Sequence, residues 1–323
     1  MIRFLLLLLI TDLYAAASIV FVHIGPQLPS YLPIALKQAR LFNPHSDLYL
    51  IANERALANL SKEIKESRPL CISCESLPKG PFHKKFAKKS KLDKTFRKGF
   101  WTFTTERFFY LAELIEKRKL TDVFHLENDV MLYADLEELL PIFKEHYSNK
   151  IGATFDNDER CIPGFLYISN YAPIERLIDF IAQKAQSGGS DMEFLAQFKD
   201  QGGWIDNLPV LMPQYANDHE LISSFGCRGT RPDHFHRHFD QFSSIFDAAA
   251  LGQFLGGIDP DNGRSIPGFI NERCIFNPSH FAFEWRKDEQ GRRVPFAIYG
   301  KLVSKINNLH IHSKDLKKFY SGK

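Results

Sequence analysis

Glu127-Asn128-Asp129 sets two carboxylates two positions apart, directly after the stretch Asp122-Val123-Phe124-His125-Leu126. A buried strand sends residues i and i+2 to the same side. Glu127 and Asp129 are therefore expected to project together from a strand's C-terminal end, the edge at which open α/β sheets bind ligands. Two hard oxygen ligands there suit Mg²⁺ or Mn²⁺ held against a diphosphate. An acid-x-acid pair alone is most often a solvated strand end, so the neighbouring residues decide its meaning. A rival set lies in Asp233-His234-Phe235-His236-Arg237-His238-Phe239-Asp240. On a strand, His234, His236 and His238 would share one face and could bind Zn²⁺ in a metal-dependent hydrolase. Near the C-terminus, His310 and His312 also alternate, followed by Ser313 and Lys314.

These residues need elements to hold them. Ile19 to Ile24 reads as a strand, broken at Gly25-Pro26, with a helix from about Leu32 to Arg40 and a second strand over Leu48 to Ala52. This alternation predicts a parallel sheet in the first half. Phe108, Leu111, Ala112 and Ile115 recur at helical spacing within 100–119, just before the strand that ends at Glu127. Leu136 to Ile142 reads as a helix ending near Pro141, and Ile151 to Phe155 and Phe165 to Ile168 as strands. Ile174 to Ala185 is an amphipathic helix, and Asp191 to Phe198 another with Ser190 as N-cap. Leu208 to Met212 reads as a short strand, 213–295 as irregular, and Ile306 to Ile311 as the last strand, with a polar tail from His312.

The chain has 323 residues, 44% of them hydrophobic, with 29 Phe and a net charge of +3, a composition that argues against general disorder. Lys79 to Lys98 holds nine Lys or Arg and one acid, Asp93. The run Lys84 to Lys98 is either a solvated helix face or a surface for an anionic partner such as a lipid head group or phosphorylated glycan. Base-reading modules are absent, so no nucleic-acid partner is expected. The five cysteines, Cys71, Cys74, Cys161, Cys227 and Cys274, lack zinc-finger spacing, and leave disulfides and buried thiols both open. Met1-Ile2-Arg3, the apolar run Phe4 to Ile10 and Ala15-Ala16-Ala17-Ser18 have the order of a signal peptide. The run is shorter than the roughly 20 residues that span a bilayer. Residues 1–18 are thus expected to be a signal or hydrophobic leader, directing the chain to a secretory pathway or export. The alternative is a cytoplasmic, membrane-associated protein.

Five stretches together resemble the GT-A glycosyltransferases, the nucleotide-diphospho-sugar transferase superfamily. They are Phe100 to Phe109 with Arg107, Val123 to Leu132 with Glu127 and Asp129, Ile162-Pro163-Gly164-Phe165, Ser190-Asp191-Met192-Glu193, and Leu309-His310-Ile311-His312-Ser313-Lys314. The resemblance covers 19–315 and implies one GT-A domain over 19–323: an α/β fold with a mostly parallel, helix-flanked sheet and an irregular C-terminal acceptor side. It also implies a transferase that uses Mn²⁺ or Mg²⁺ and a nucleotide-diphosphate sugar, with a glycan, lipid or protein acceptor. Carried over by position, Glu127, Asp129 and His312 would hold the metal. Lys314, Ser313 and Arg107 would meet the nucleotide phosphates, with Thr104 or Thr105 beside Arg107. His23 would sit at the nucleotide's edge. Asp191 and Asp247, with Glu193 behind them, are the expected bases if the enzyme inverts. Met192 stands where the family often has Gln, and Pro163 where it often has Asn or Ser. A catalytically silent binding protein on the same fold is a further alternative.

Overall fold

A computed structural model describes residues 17–227 and 232–322; the expected leader over 1–18 lies almost wholly outside them. The strands are β1 (Ser18–His23), β2 (Asp47–Ala52), β3 (Leu70–Ser73), β4 (Val123–Leu126), β5 (Val130–Leu132), β6 (Ile151–Asn157), β7 (Arg160–Ile168), β8 (Ile205–Asn207), β9 (Ser244–Ile245), β10 (Ala282–Lys287), β11 (Arg293–Tyr299), β12 (Leu302–Ile306) and β13 (Asn308–His310). Seven of them form the main sheet in the order β3-β2-β1-β4-β7-β6-β8. The half from β3 to β4 is parallel, β7 runs antiparallel to both β4 and β6, and β8 is parallel to β6. This is the mostly parallel, helix-flanked α/β sheet that the resemblance implies.

The parallel half forms around β1, β2 and β4, which are buried on both faces as sheets covered by helices on each side require, with the more exposed β3 at its edge. In β1, Ile19, Val20, Phe21 and Val22 are all buried. Helix Leu32–Phe42 covers one side with Leu32, Ala35, Leu36, Ala39 and Phe42, an i, i+3, i+4, i+7 stripe. Helix Phe100–Arg118 buries an unbroken run from Arg107 to Ile115 and ends at Lys119 in the left-handed conformation. Helix Asp191–Lys199 starts as expected: Ser190 and Glu193 form a reciprocal capping box.

Four expectations are corrected. Helix Leu136–His146 runs through Pro141, because Phe143 beyond it is fully buried among Phe124, Tyr167, Tyr147 and Phe242. Packing of that ring outweighs the hydrogen bond the proline removes. The strand near 208–212 is instead β8, and Leu208, Val210, Leu211 and Met212 are buried as irregular chain. The stretch 213–295 is not irregular throughout, since it holds helix Ala250–Gly256, β9, β10 and the start of β11, and these strands build a second sheet with β12, in the order β10-β11-β12-β9. The tail after His312 is packed, with Leu316 and Phe319 buried and Ser321 bonded through N and Oγ to Gln38. All five cysteines are free thiols.

One pairing positions the site. β13 pairs antiparallel with β5, setting His310 opposite Val130, and the Ile311 N–H donates to the Asp129 carbonyl at 2.9 Å. The chain's end is thereby locked beside the acid pair about 180 positions earlier.

Candidate active site

β4 stops at Leu126, and the Val130 N–H donates to the Glu127 carbonyl at 3.1 Å. Glu127-Asn128-Asp129 is therefore a turn, not the end of an alternating strand. The two carboxylates converge because both reach one imidazole. His310 Nε2 lies 3.0 Å from Glu127 Oε2 and 3.1 Å from Asp129 Oδ1. Lys314 pairs with the other Asp129 oxygen, and Arg107 pairs with Glu127 and, at 2.8 Å, with Asp191.

Two glycines make this approach possible. A Cβ at Gly164 would come within 2.7 Å of His310 Nδ1, and one at Gly252 within 2.1 Å of the His310 carbonyl oxygen. Helix Ala250–Gly256 thus rests directly on β13, and Asp247 fixes it there. The Asp247 carboxylate accepts the N–H groups of Leu251, Gly252 and His310, each at 2.9 Å.

The cluster balances three carboxylates, Glu127, Asp129 and Asp191, against the three basic groups Arg107, His310 and Lys314. Burial pulls His310 down, but Asp129 and Glu127 outweigh it and raise the imidazole to about 10. Burial and the neighbouring His310 lower His312 to about 3. Burial would lift the Glu127 and Asp129 carboxyls, yet Arg107 and His310 hold the first, and Lys314 and His310 the second, well below the usual carboxylate range. Burial leaves Asp191 raised despite Arg107.

Asp129, His310 and His312 each offer a ligand atom, all within 4.8 Å of one another, the one such group among the described residues. Ligands about 2.1 Å from a single ion lie at most about 4.2 Å apart, so the set fits a divalent cation after a contraction of roughly half an ångström. Gln253 supports it: its amide lies 2.7 Å from His312 Nδ1. With the amide oxygen turned to the ring, Gln253 accepts the Nδ1 proton and leaves the Nε2 lone pair for a metal.

The site opens into a cavity of about 810 Å³ whose lining includes Tyr31, Trp101, Thr104, Arg107, Asp191 and Lys314. Of the residues singled out from the sequence, Glu127, Asp129, His310, His312, Lys314, Arg107, Thr104 and Asp191 meet here. Several others lie elsewhere. Asp247 is fully buried and its carboxylate is taken up by backbone donors. The Ser313 hydroxyl is buried without a partner, against Gly256. His23 bonds the Gln27 carbonyl at 2.7 Å and is not part of the lining. Glu193 serves the helix cap. Thr105 is bonded to the Trp101 carbonyl at 2.8 Å. The 234–238 histidines do not form one face, because Pro232–His236 is a 3₁₀ turn, not a strand. There His234 meets Lys199 at 3.0 Å while His238 stacks on His146.

Sequence reasoning missed Tyr31, Gln253 and the part His310 plays beside His312. The Gly residues at 164 and 252 were the available signal, since glycine often marks close backbone approach.

No protein-family model matches the chain, and no curated protein matches it. Among solved structures it is similar to mouse xyloside xylosyltransferase 1, at 11% identity and a TM-score of 0.44 over 62% of this chain and 90% of that one. It is similar to the galactosyltransferase LgtC solved with donor and acceptor sugar analogues, at 16% identity and 0.40 over 62% and 77%. A cytidylyltransferase from Leptospira borgpetersenii is also similar, at 9% identity and 0.36 over 61% and 76%. Likenesses this distant leave the reaction to be read from the site's own chemistry.

Proposed function

We propose that this chain is a metal-dependent glycosyltransferase that moves a sugar from a nucleotide-diphosphate sugar to a hydroxyl of a glycan, lipid or protein. The observation that carries the reading is the meeting of Asp129, His310 and His312, with Lys314 beside them, in one cavity. Those three residues, with Glu127 in reach through His310, would hold a divalent ion. Such an ion neutralises the charge that develops on a departing diphosphate. Mixed carboxylate and imidazole ligation favours Mn²⁺ over Mg²⁺.

The chain's own groups do the rest. Lys314 supplies a compact positive charge for phosphate oxygens. Arg107 is a positioning residue: its two Nη atoms are engaged by Glu127 and Asp191, so it fixes both carboxylates. Tyr31 and Trp101 offer flat faces on which a nucleobase can stack. Asp191 lines the cavity and is the carboxylate suited to take a proton from an acceptor hydroxyl.

The test is a panel of nucleotide-diphosphate sugars incubated with the chain, with and without Mn²⁺, reading released nucleotide. Metal-dependent release is expected, lost in Asp129→Ala and reduced roughly 100-fold in His312→Ala. No release from any donor, together with no metal-dependent nucleotide binding, sinks the reading. Metal-dependent activity that survives Asp129→Ala and is lost in His236→Ala favours the hydrolase instead.

A further inference from the structure

Of the ten large apolar side chains exposed among the described residues, five gather at one place, while Leu70, Leu302 and Val303 lie on strands elsewhere. Phe96, Phe100, Phe225, Phe269 and Ile270 are each at least 37% exposed, and all five line the mouth of the cavity described above. Phe103, 39% exposed, lies next to this ring on the same helix as Phe100: a Cβ added at Gly99 would lie 3.5 Å from its edge and 3.9 Å from the Lys94 carbonyl oxygen. Water-exposed aromatic groups in such number mark an interaction surface.

The flank of this ring is basic. Lys88, Lys89, Lys91, Lys94 and Lys98 are exposed, while Phe86 just before them and Leu92 among them are buried in the core. The segment is anchored rather than loose. The Lys91 N–H donates to the Ala185 carbonyl at 2.8 Å, and Arg97 ties it to Asp259 at 3.1 Å and Asn262 at 2.8 Å across the mouth. Of the acids nearby, Asp93 caps Thr95 and Phe96 and Asp259 pairs with Arg97, while Glu272 in the lining and Asp261 beside Arg97 are exposed.

We propose that the cavity mouth docks on an anionic lipid bilayer, with the Phe96–Phe100–Phe103 edge entering the interface and the lysine row against the head groups. Aromatic side chains flanked by lysines are the composition that such an interface selects, and each cation near an anionic surface strengthens binding. Charge disfavours a second copy of this chain, because a two-fold contact would set the lysine row against itself. A bilayer seated on the ring presents an acceptor to the cavity, so on the transferase reading the acceptor is borne by a lipid. Docking itself does not depend on that reading.

The experiment is vesicle co-sedimentation of the full chain with phosphatidylcholine alone and with phosphatidylcholine containing phosphatidylserine. The comparison is the full-length variant Lys91→Glu/Lys94→Glu/Lys98→Glu, and separately Phe103→Ser, whose folding is checked by circular dichroism. Binding should require the anionic lipid, fall on the order of 100-fold in the triple variant, weaken in Phe103→Ser and fade with salt. Equal binding to both vesicles, or binding untouched by the triple variant, overturns the proposal. So does capture of soluble polyglutamate with no sedimentation on anionic vesicles. Nucleotide release from donors in vesicle-free solution is read in parallel, so failure of docking and failure of the transferase reading are separate results.

Discussion

At position 164 one hydrogen stands where any other residue would put carbon, and that decides where His310 sits. A methyl group there would lie 2.7 Å from the imidazole Nδ1, and the ring is boxed in on its other side by Glu127 and Asp129. Gly164→Ala should therefore displace His310 and weaken Mn²⁺ binding roughly 10- to 100-fold, at a stability cost of about 1–3 kcal/mol from overpacking. Calorimetric metal titration checks this; unchanged affinity would mean that His310 is no ligand. Arg107 makes a different demand. It is buried between Glu127 and Asp191, so Arg107→Met leaves the buried Asp191 without its cation and Glu127 with His310 alone. A loss of about 3–5 kcal/mol is expected, measured by urea unfolding at neutral pH. The loss should shrink on acidification, since protonation then relieves both acids. A change below about 1 kcal/mol would show that the pair is not holding the cluster.

At the scale of elements, what the sequence made legible was what is encoded locally. Ser190 and Glu193 stand three residues apart, so their capping box and the start of helix Asp191–Lys199 can be read from the chain alone. The buried runs of β1 and β2 are likewise continuous in sequence. The pairing of β5 with β13 is not local, and three-residue strands carry no periodicity from which to infer it. The alternation of His310 and His312 left open which of them faces the acids, and the answer came from Gly164 and Gly252 on other elements. Leu208 to Met212 reads as a strand because it is a short apolar run, and such a run does not distinguish ladder from buried loop. Pro141 marks the opposite error, a real local signal overruled by the packing of Phe143. Its helix still lacks one hydrogen bond. Pro141→Ala should raise stability by about 1–3 kcal/mol, read as a higher urea midpoint with an unchanged slope; a fall would mean that the ring itself is needed in the packing.

At the scale of the whole molecule, stability responds to pH through buried groups that act in opposite senses. His125 on β4 is fully buried next to β1, with its Nδ1 donating to the Val20 carbonyl at 2.9 Å and its Nε2 without a partner. Burial, and then the positive charge of Arg107, lower it from 6.5 to about 4. A histidine whose folded value is depressed binds its proton more readily in the unfolded chain. Its stabilising contribution is therefore complete above pH 6.5 and is lost as pH falls from there towards 4, by about 3 kcal/mol for a shift of this size. Two buried acids work in the other sense. Asp156 and Asp247 are both raised to about 6, so folding gains from their protonation as pH falls below that value. The raw stability curve is the sum of these opposed terms and need not slope either way. The difference between the native chain and His125→Asn isolates one of them, because asparagine keeps a donor for Val20 and carries no titrating proton. That difference should decline by about 3 kcal/mol between pH 7 and pH 4, as followed by urea unfolding at each pH. A difference that stays flat across that range would show that His125 gains no proton on unfolding, and that water reaches β4 in the native fold.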